Sequence, residues 1–148
     1  MTLTKLLATA LCAALIAAFA HAQQSERFGR YELHYNVVNS TFISPQVASE
    51  YGIVRGDDRA FINIAVREHR EDGTAATIEV GLVGESWDLT GRRTVFDFID
   101  IREGDARYYI GEFEFLNREW RHFEVSFTAP ESGETHRFRF KRQMYREQ

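Results

Sequence analysis

Residues 31–37 read Tyr-Glu-Leu-His-Tyr-Asn-Val, and apolar side chains alternate with polar ones along this stretch. A period of two places every second side chain on the same face of an extended chain. Tyr31, Leu33, Tyr35 and Val37 therefore share one face, and the stretch predicts a β-strand with one buried side. The same alternation recurs along most of the chain that follows.

Turn residues divide this alternating chain into short segments. Asp72-Gly73, for example, is typical of a hairpin turn. Seven strands are predicted, at residues 31–37, 61–66, 78–82, 94–101, 107–116, 123–127 and 135–145. Because half-polar sheets must bury their apolar faces against each other, the pattern predicts an all-β fold. We expect an immunoglobulin-like antiparallel β-sandwich of about seven strands, with a closed β-barrel as the alternative.

Two segments carry more specific expectations within that fold. Residues 94–101 have apolar side chains on both faces, which predicts a central strand. Residues 23–27 are polar, and we expect them to be frayed.

The connection at residues 39–59 is the one long excursion between predicted strands. Ser44 is a good N-cap, Pro45 suits the first helical position, and Gly52 can end a helix in the left-handed conformation. These signals predict one short helix near residues 45–51. Connections in compact domains are mostly about 4–6 residues long, and longer ones are usually functional or disordered.

Two interpretations of this excursion stay open on the sequence. The helix could plug one end of the sandwich, burying Phe42, Val47 and Tyr51. Alternatively, it could present a binding surface, since fixed loops often carry function. In that case the exposed polar positions would be Gln46, Ser49 and Glu50.

The first 22 residues have the order of a cleavable secretory signal peptide. Lys5 begins it, residues 6–20 are uncharged and mostly apolar, and Ala20-His21-Ala22 matches a cleavage site. Residues 23–148 are then predicted to form a single periplasmic domain. The only cysteine, Cys12, lies inside the apolar run and not at the cleavage site, so lipidation is not expected. Cleavage would leave no thiol for a disulfide or for thiolate catalysis.

Two longer stretches resemble a known bacterial family. Residues 31–36 (Tyr-Glu-Leu-His-Tyr-Asn), 39–48 (Asn-Ser-Thr-Phe-Ile-Ser-Pro-Gln-Val-Ala) and 51–55 (Tyr-Gly-Ile-Val-Arg) make up the first. Residues 101–113 (Ile-Arg-Glu-Gly-Asp-Ala-Arg-Tyr-Tyr-Ile-Gly-Glu-Phe) are the second. Both are similar to the family called domain of unknown function 4426. The resemblance implies a small exported β-rich protein, and it implies no activity, cofactor or catalytic residue.

Patterns for metal binding are weak. In a zinc site three or four ligands converge on the metal ion, and some of them are often close together in the sequence. The four histidines that follow the signal fall in different predicted strands or turns: His34, His69, His122 and His136. We therefore predict no metal and no cofactor.

Patterns for catalysis are equally weak. The stretch Gly84-Glu-Ser-Trp-Asp88 begins like a nucleophile elbow but lacks the second glycine that the elbow requires. A group of carboxylates follows at Asp97, Asp100, Glu103 and Asp105. Acidic residues commonly stabilise a turn beside a glycine such as Gly104 by local hydrogen bonds. This role explains their position better than a pair of catalytic acids does. We predict no catalytic residue.

Surface residues give the remaining hints. Trp87 and Trp120 lie beside predicted turns, where an exposed ring could stack on a sugar and a buried one would cap the core. Arg137, Arg139 and Lys141 line one face of the last strand, which is typical of a protected sheet edge. The net charge of −4 argues against nucleic acid as a partner. No long apolar segment follows the signal.

These observations favour a non-enzymatic binding or accessory protein of the periplasm. A carbohydrate- or envelope-binding module and an enzyme with an unrecognised site are the alternatives. The expected partner is an envelope protein or a glycan. The candidate interaction surface comprises Gln46, Ser49, Glu50, Trp87 and Trp120.

Overall fold

A computed structural model of the chain describes residues 24–147. The predicted signal peptide and Cys12 lie outside the described residues. The strands, in chain order, are β1 Gln24–Phe28, β2 Tyr31–Asn39, β3 Arg59–His69, β4 Ala75–Thr77, β5 Gly81–Asp88, β6 Arg93–Val95, β7 Ile99–Glu103, β8 Ala106–Glu114, β9 Trp120–Thr128 and β10 Thr135–Gln143. A 3-10 turn, Ser40–Phe42, and one α-helix, α1 Pro45–Tyr51, lie between β2 and β3.

The strands form two antiparallel sheets. The six-stranded sheet has the order β1-β2-β3-β8-β7, with β4 also paired to β3, and the four-stranded sheet has the order β10-β9-β5-β6. Both sheets are open, so the closed-barrel alternative is wrong. The all-β sandwich is confirmed, with ten described strands where about seven were expected. The immunoglobulin-like topology stays a prediction.

The main core lies between the two sheets. The inward faces follow the predicted alternation: Leu33, Ile62 and Ile64 of the six-stranded sheet face this core and are fully buried. Phe123 and Phe127 come from the four-stranded sheet and are 0% and 1% exposed. The period-two pattern therefore assigned the buried face of these strands correctly.

The expectation of a central strand at residues 94–101 is wrong. The chain crosses here from the four-stranded sheet to the six-stranded sheet, so its two halves are the edge strands β6 and β7. Phe96 and Phe98 lie at the crossing and pack against the main core. Gly111 makes room for them, since a Cβ there would come within 2.9 Å of both rings. The apolar side chains on both faces therefore mark a crossing between sheets.

Two further local expectations can be compared with the structure. Residues 24–28 are not frayed, because they form an exposed edge strand that pairs with β2 through a turn at Gly29. β10 is an edge strand, as the row Arg137, Arg139 and Lys141 suggested.

No helix formed by residues 24–147 has the length and apolar character needed to cross a bilayer.

Candidate functional site

The local signals around α1 act as the sequence predicted. The Ser44 hydroxyl accepts a hydrogen bond from the Val47 amide at 3.3 Å, and Pro45 occupies the first turn. Gly52 ends the helix with a φ of 71°, a left-handed conformation that suits glycine. The Ile53 amide then donates to the Ala48 carbonyl at 2.8 Å. The short helix near residues 45–51 is confirmed.

The helix packs against the outer face of the six-stranded sheet, the face turned away from the main core. Val47 and Ala48 of α1 are buried there with Ile43 and Ile53. The sheet contributes Phe61, Ile101 and Ile110 to this second apolar cluster. Because the central strands β3 and β8 carry apolar side chains on both faces, their outer face needs a cover, and α1 supplies it.

The prediction of an end plug is therefore wrong in its position. Val47 is buried as expected, and Tyr51 is partly buried. Phe42, in contrast, is 69% exposed and lies in the 3-10 turn before the helix. Its exposure follows from the side-on packing of α1, which buries Ile43 and leaves Phe42 on the opposite side of the chain.

A small cleft remains between α1 and the sheet, and we call it the α1 cleft. Its volume is about 60 Å³. The residues that line it are Ile43, Val47, Tyr51, Ile53, Phe61, Asn63, Ile101, Glu103, Tyr108 and Ile110. Most of this lining is apolar, so the few polar groups decide what the cleft can bind.

Asn63 is the most unusual of these polar groups. The residue is 8% exposed, and its side-chain oxygen Oδ1 is buried without a hydrogen-bond donor among the described residues. A buried polar atom without a partner costs about 1–3 kcal/mol, so such atoms are rare and often functional. Asn63 was not among the predicted site residues, although its strand, Phe-Ile-Asn-Ile-Ala-Val, is otherwise entirely apolar.

The cleft lining also contains a hydroxyl–carboxylate contact. The Tyr51 hydroxyl donates a hydrogen bond to Glu103, which joins α1 to the end of β7. Burial, and then the Glu103 carboxylate, raise the pKa of the Tyr108 hydroxyl above its ordinary value. Glu103 was predicted to serve its turn only, and the structure also places it at the cleft.

The exposed side of α1 carries Gln46, Ser49 and Glu50, all three exposed as predicted. They face away from the sheet while Val47 and Ala48 face it. The helix thus carries a polar outer side, while the α1 cleft lies between its buried side and the sheet.

The two tryptophans lie on the outer face of the four-stranded sheet, away from α1. The Trp87 ring stacks on His122 with centroids 5.6 Å apart, and the Arg93 guanidinium lies 5.1 Å from its centroid. Trp120 is 41% exposed, with the Lys141 ammonium 5.3 Å from its ring. These side chains form a row of cations and aromatic rings. The faces of the Trp87 ring are already covered by His122 and Arg93.

The histidines are placed differently from one another. His34 and His69 approach one carboxylate, that of Glu32, with Nε2–Oε2 distances of 3.5 and 2.7 Å. This convergence was not predicted, because the pairing of β2 with β3 creates it. The His69 hydrogen bond is the main reason that the pKa of Glu32 is lowered. Within residues 24–147, no group of three or more His, Cys, Asp or Glu side chains is arranged to hold a metal ion.

Ser86 is fully buried and accepts a hydrogen bond from Arg121 Nε at 2.9 Å. Arg121 is itself 1% exposed, and it also donates to Glu119 at 2.9 Å and to Thr94 at 3.0 Å. Arg121 lies two positions before Phe123 on β9 and therefore faces inward with it. The alternation along this strand could thus have predicted a buried arginine. Ser86 is thus part of a buried polar network.

Asp88, at the end of β5, stabilises the following turn by hydrogen bonds. Its carboxylate accepts hydrogen bonds from the Thr90 hydroxyl at 2.6 Å, the Thr90 amide at 2.9 Å and the Arg92 amide at 3.0 Å. These bonds, led by that from the Thr90 hydroxyl, hold the pKa of Asp88 at about 2, below its ordinary 3.8. The ionised form is therefore favoured in the folded protein.

We expect this carboxylate to contribute to acid sensitivity. A pKa lowered by folding gives stability that is present above about pH 3.8 and is lost as the pH falls towards 2. Asp88→Asn should therefore be less stable at pH 7 and lose less free energy of unfolding across this interval. Urea unfolding at a series of pH values measures both. Asp97→Asn, at an exposed site, is the control, and identical pH profiles for Asp88→Asn and the native chain would contradict the expectation.

A family model described as "Domain of unknown function (DUF4426)" matches residues 25–147. The chain belongs to this family. Both stretches that carry the DUF4426 resemblance meet at the α1 cleft. Residues 39–55 supply Ile43, Val47, Tyr51 and Ile53, and residues 101–113 supply Ile101, Glu103, Tyr108 and Ile110. The family model confirms the resemblance.

Solved structures share the fold. A DUF4426 family protein from Pseudomonas aeruginosa PAO1 is 29% identical with a TM-score of 0.75, covering 88% of this chain and 100% of that one. FetP from uropathogenic Escherichia coli strain F11 is 10% identical with a TM-score of 0.57, covering 86% and 96%. A copper-bound variant of FetP is 9% identical with a TM-score of 0.56, covering 86% and 92%. No curated protein matches the chain.

Proposed function

We propose that this DUF4426 protein is an exported, non-enzymatic binding or accessory protein of the bacterial periplasm, and that it binds through α1 and the α1 cleft. The observation that carries the proposal is the buried Asn63 Oδ1, which has no hydrogen-bond donor among residues 24–147 and lies in a mostly apolar cleft. A ligand or partner group entering the cleft would supply the missing donor. The signal pattern of residues 1–22 supports export.

The contacts of the acidic side chains support binding over catalysis. Asp100 is paired with Arg107 through two hydrogen bonds, and Glu103 accepts from Tyr51. Catalytic sites bring a nucleophile, a base and an orienting group within hydrogen-bond reach of one another. Among the described residues, the α1 cleft has one carboxylate and no histidine, lysine or serine in its lining.

The outer face of the four-stranded sheet supports the glycan-binding alternative less well. Sugar recognition by stacking requires an open aromatic face. Trp87 lies between Arg93 and His122, which come from the strands on either side of β5. Trp120 is the more accessible ring, yet Lys141 lies over it.

The exposed residues of α1 provide the test of the proposed function. We expect the combined change Gln46→Ala, Ser49→Ala and Glu50→Ala to reduce recovery of a cross-linked envelope partner about tenfold, since a lost contact energy of about 1.4 kcal/mol has that effect. Cross-linking and affinity recovery from the protein's own envelope fraction measure this, with thermal melts to confirm folding.

The chain offers a matched control for this experiment. Gln24, Ser25 and Glu26 are the same three residue types, all exposed, on the edge strand β1. Changing them to alanine should leave recovery unchanged. Full recovery with the α1 variant, in a protein that melts like the native chain, would show that α1 only covers the sheet.

A further inference from the structure

A second cleft lies on the side of the sandwich where β1 and β10 are the outermost strands of their sheets, and we call it the lateral cleft. Its volume is about 290 Å³, and residues of β1, β2 and β10 line it. Among residues 24–147, no strand pairing joins β1 or β2 to β10, so this side of the sandwich stays open.

Arg142 places a positive charge in the lateral cleft. Its Nη1 donates a hydrogen bond to the Val37 carbonyl at 2.6 Å, which uses one N–H group and leaves others for a ligand. Burial lowers the pKa of this guanidinium, and no carboxylate among the described residues offsets that effect. The residue as a whole remains exposed, so a ligand can reach it.

The other polar groups of the lining do not oppose this charge. Gln24 and Tyr35 are cross-strand partners and share a face, and an amide and a hydroxyl can each donate or accept. Burial, and then the Glu26 carboxylate, raise the pKa of the Tyr35 hydroxyl, which is therefore neutral at pH 7. No carboxylate is among the described residues that line the cleft, so its charge favours an anion.

Lys141 also lines the cleft but is placed differently from Arg142. Its ammonium lies 5.3 Å from the Trp120 ring centroid, on the outer face of the four-stranded sheet. Lys141 therefore adds positive charge near the cleft, while Arg142 is the group that can donate to a ligand inside it.

Aromatic rings lie next to the guanidinium. Phe140 precedes Arg142 by two positions on β10, and Tyr35 precedes Val37, the partner of Arg142, by two positions on β2. The Tyr35 and Phe140 ring centroids are 4.6 Å apart, and both residues are partly buried. The guanidinium and the two rings are thus close enough for one small ligand to contact all three.

We propose that the lateral cleft binds a small organic acid whose carboxylate is attached to an apolar or aromatic stem. The Arg142 guanidinium donates to the carboxylate, whose two oxygens match its planar donors, and the stem contacts Tyr35 and Phe140. A single guanidinium suits a carboxylate, whereas a phosphate carries a charge of about −1.5 to −2 and is usually held by several arginines. This site goes beyond the proposed function, because it is separate from α1.

The size of the lateral cleft limits the ligand. A cavity of about 150 Å³ holds benzene. At about 290 Å³, the cleft accommodates one aromatic ring with a short carboxylate arm. A free acid and the C-terminal residue of a protein both present such a group, but the preceding peptide units of a protein would lie outside the cleft. We therefore expect the free acid.

The direct test is a titration of the ¹⁵N-labelled chain, residues 23–148, with sodium 3-phenylpropionate, followed by amide chemical shifts. We expect saturable shifts at the cleft, at amides such as those of Tyr35 and Arg142, with affinity in the millimolar range usual for such a small ligand. 3-Phenylpropanol, which lacks the charge, should bind about tenfold more weakly. 3-Phenylpropylammonium chloride should give no saturable shift at these amides.

A pair of variants on β10 tests the role of the guanidinium. Arg142→Gln keeps a donor for the Val37 carbonyl and removes the charge, so it should weaken 3-phenylpropionate binding about tenfold. Arg139→Gln is the matched control, because Arg139 lies on the same strand and pairs with Glu124 on the outer face. It should bind like the native chain. Thermal melts show whether both variants fold.

A further titration with N-acetyl-glycyl-phenylalanine distinguishes the two sources of the carboxylate. Binding weaker than or equal to that of 3-phenylpropionate assigns the group to a free acid, and tighter binding assigns it to a protein C-terminus. The inference is overturned if 3-phenylpropionate gives no saturable shifts at the cleft, if 3-phenylpropanol binds equally well, or if Arg142→Gln binds like the native chain. These results would leave the α1 cross-linking experiment unaffected, so the proposed function would be judged separately.

Discussion

Replacing Phe123 with alanine is expected to lower the free energy of unfolding by about 3–5 kcal/mol. Phe123 is 0% exposed and stacks on Phe140 with ring centroids 4.6 Å apart. It also meets Phe113 of the opposite sheet edge-on at 5.3 Å. The truncation leaves a cavity at the contact between the two sheets, where packed strands cannot readily close it.

Urea unfolding of the native chain and the variant measures this loss. Phe127→Ala, 1% exposed in the native chain, should show a loss of similar size. Phe42→Ala is the control, because Phe42 is 69% exposed and should cost little. A loss under about 1 kcal/mol for Phe123→Ala would contradict the assigned facing of β9.

Replacing Arg121 with methionine should cost about 3–5 kcal/mol as well, for an electrostatic reason. The guanidinium is buried between Ser86, Thr94 and Glu119, with the Phe113 ring centroid 5.1 Å away. Methionine fills much of the volume but offers no donor. Glu119 would then lose its contact with Arg121 and keep that with Arg92, and the buried Ser86 hydroxyl would lose its donor.

The same denaturation experiment tests this, with Arg139→Met as the matched control. Arg139 lies in the same sheet and pairs with Glu124, but its side chain is 66% exposed. Surface ion pairs contribute about 0–1 kcal/mol, so the control should be nearly neutral. If Arg121→Met is equally neutral, the buried network does not stabilise the fold.

Much of the fold could be predicted because strand periodicity and helix caps are local properties. The faces of β2, β3 and β9 and the ends of α1 follow from residues within a few positions of each other. The crossing at Phe96 and Phe98 could not be predicted in this way. Its apolar pattern is the same as that of a central strand, and only the pairing of strands distant in sequence distinguishes the two.

The candidate site was predictable only in part, for the same reason. The sequence indicated that α1 would have an exposed polar side with Gln46, Ser49 and Glu50. It could not indicate that α1 covers the outer sheet face, since this depends on the pairing of β3 with β8, which places Phe61 and Ile110 in one apolar cluster on that face. Asn63 becomes notable only when its neighbours are known, because an asparagine in a strand usually faces water.

Site-specific photo-cross-linking in living cells shows most directly whether α1 contacts a partner. A photoreactive amino acid is placed singly at Gln46 and Glu50 on α1, at Trp120 on the outer face of the four-stranded sheet, and at Gln24 on β1. We predict a discrete cross-linked product from the two α1 positions and none from Trp120 or Gln24. A product from Trp120 alone, with none from Gln46 or Glu50, would contradict it.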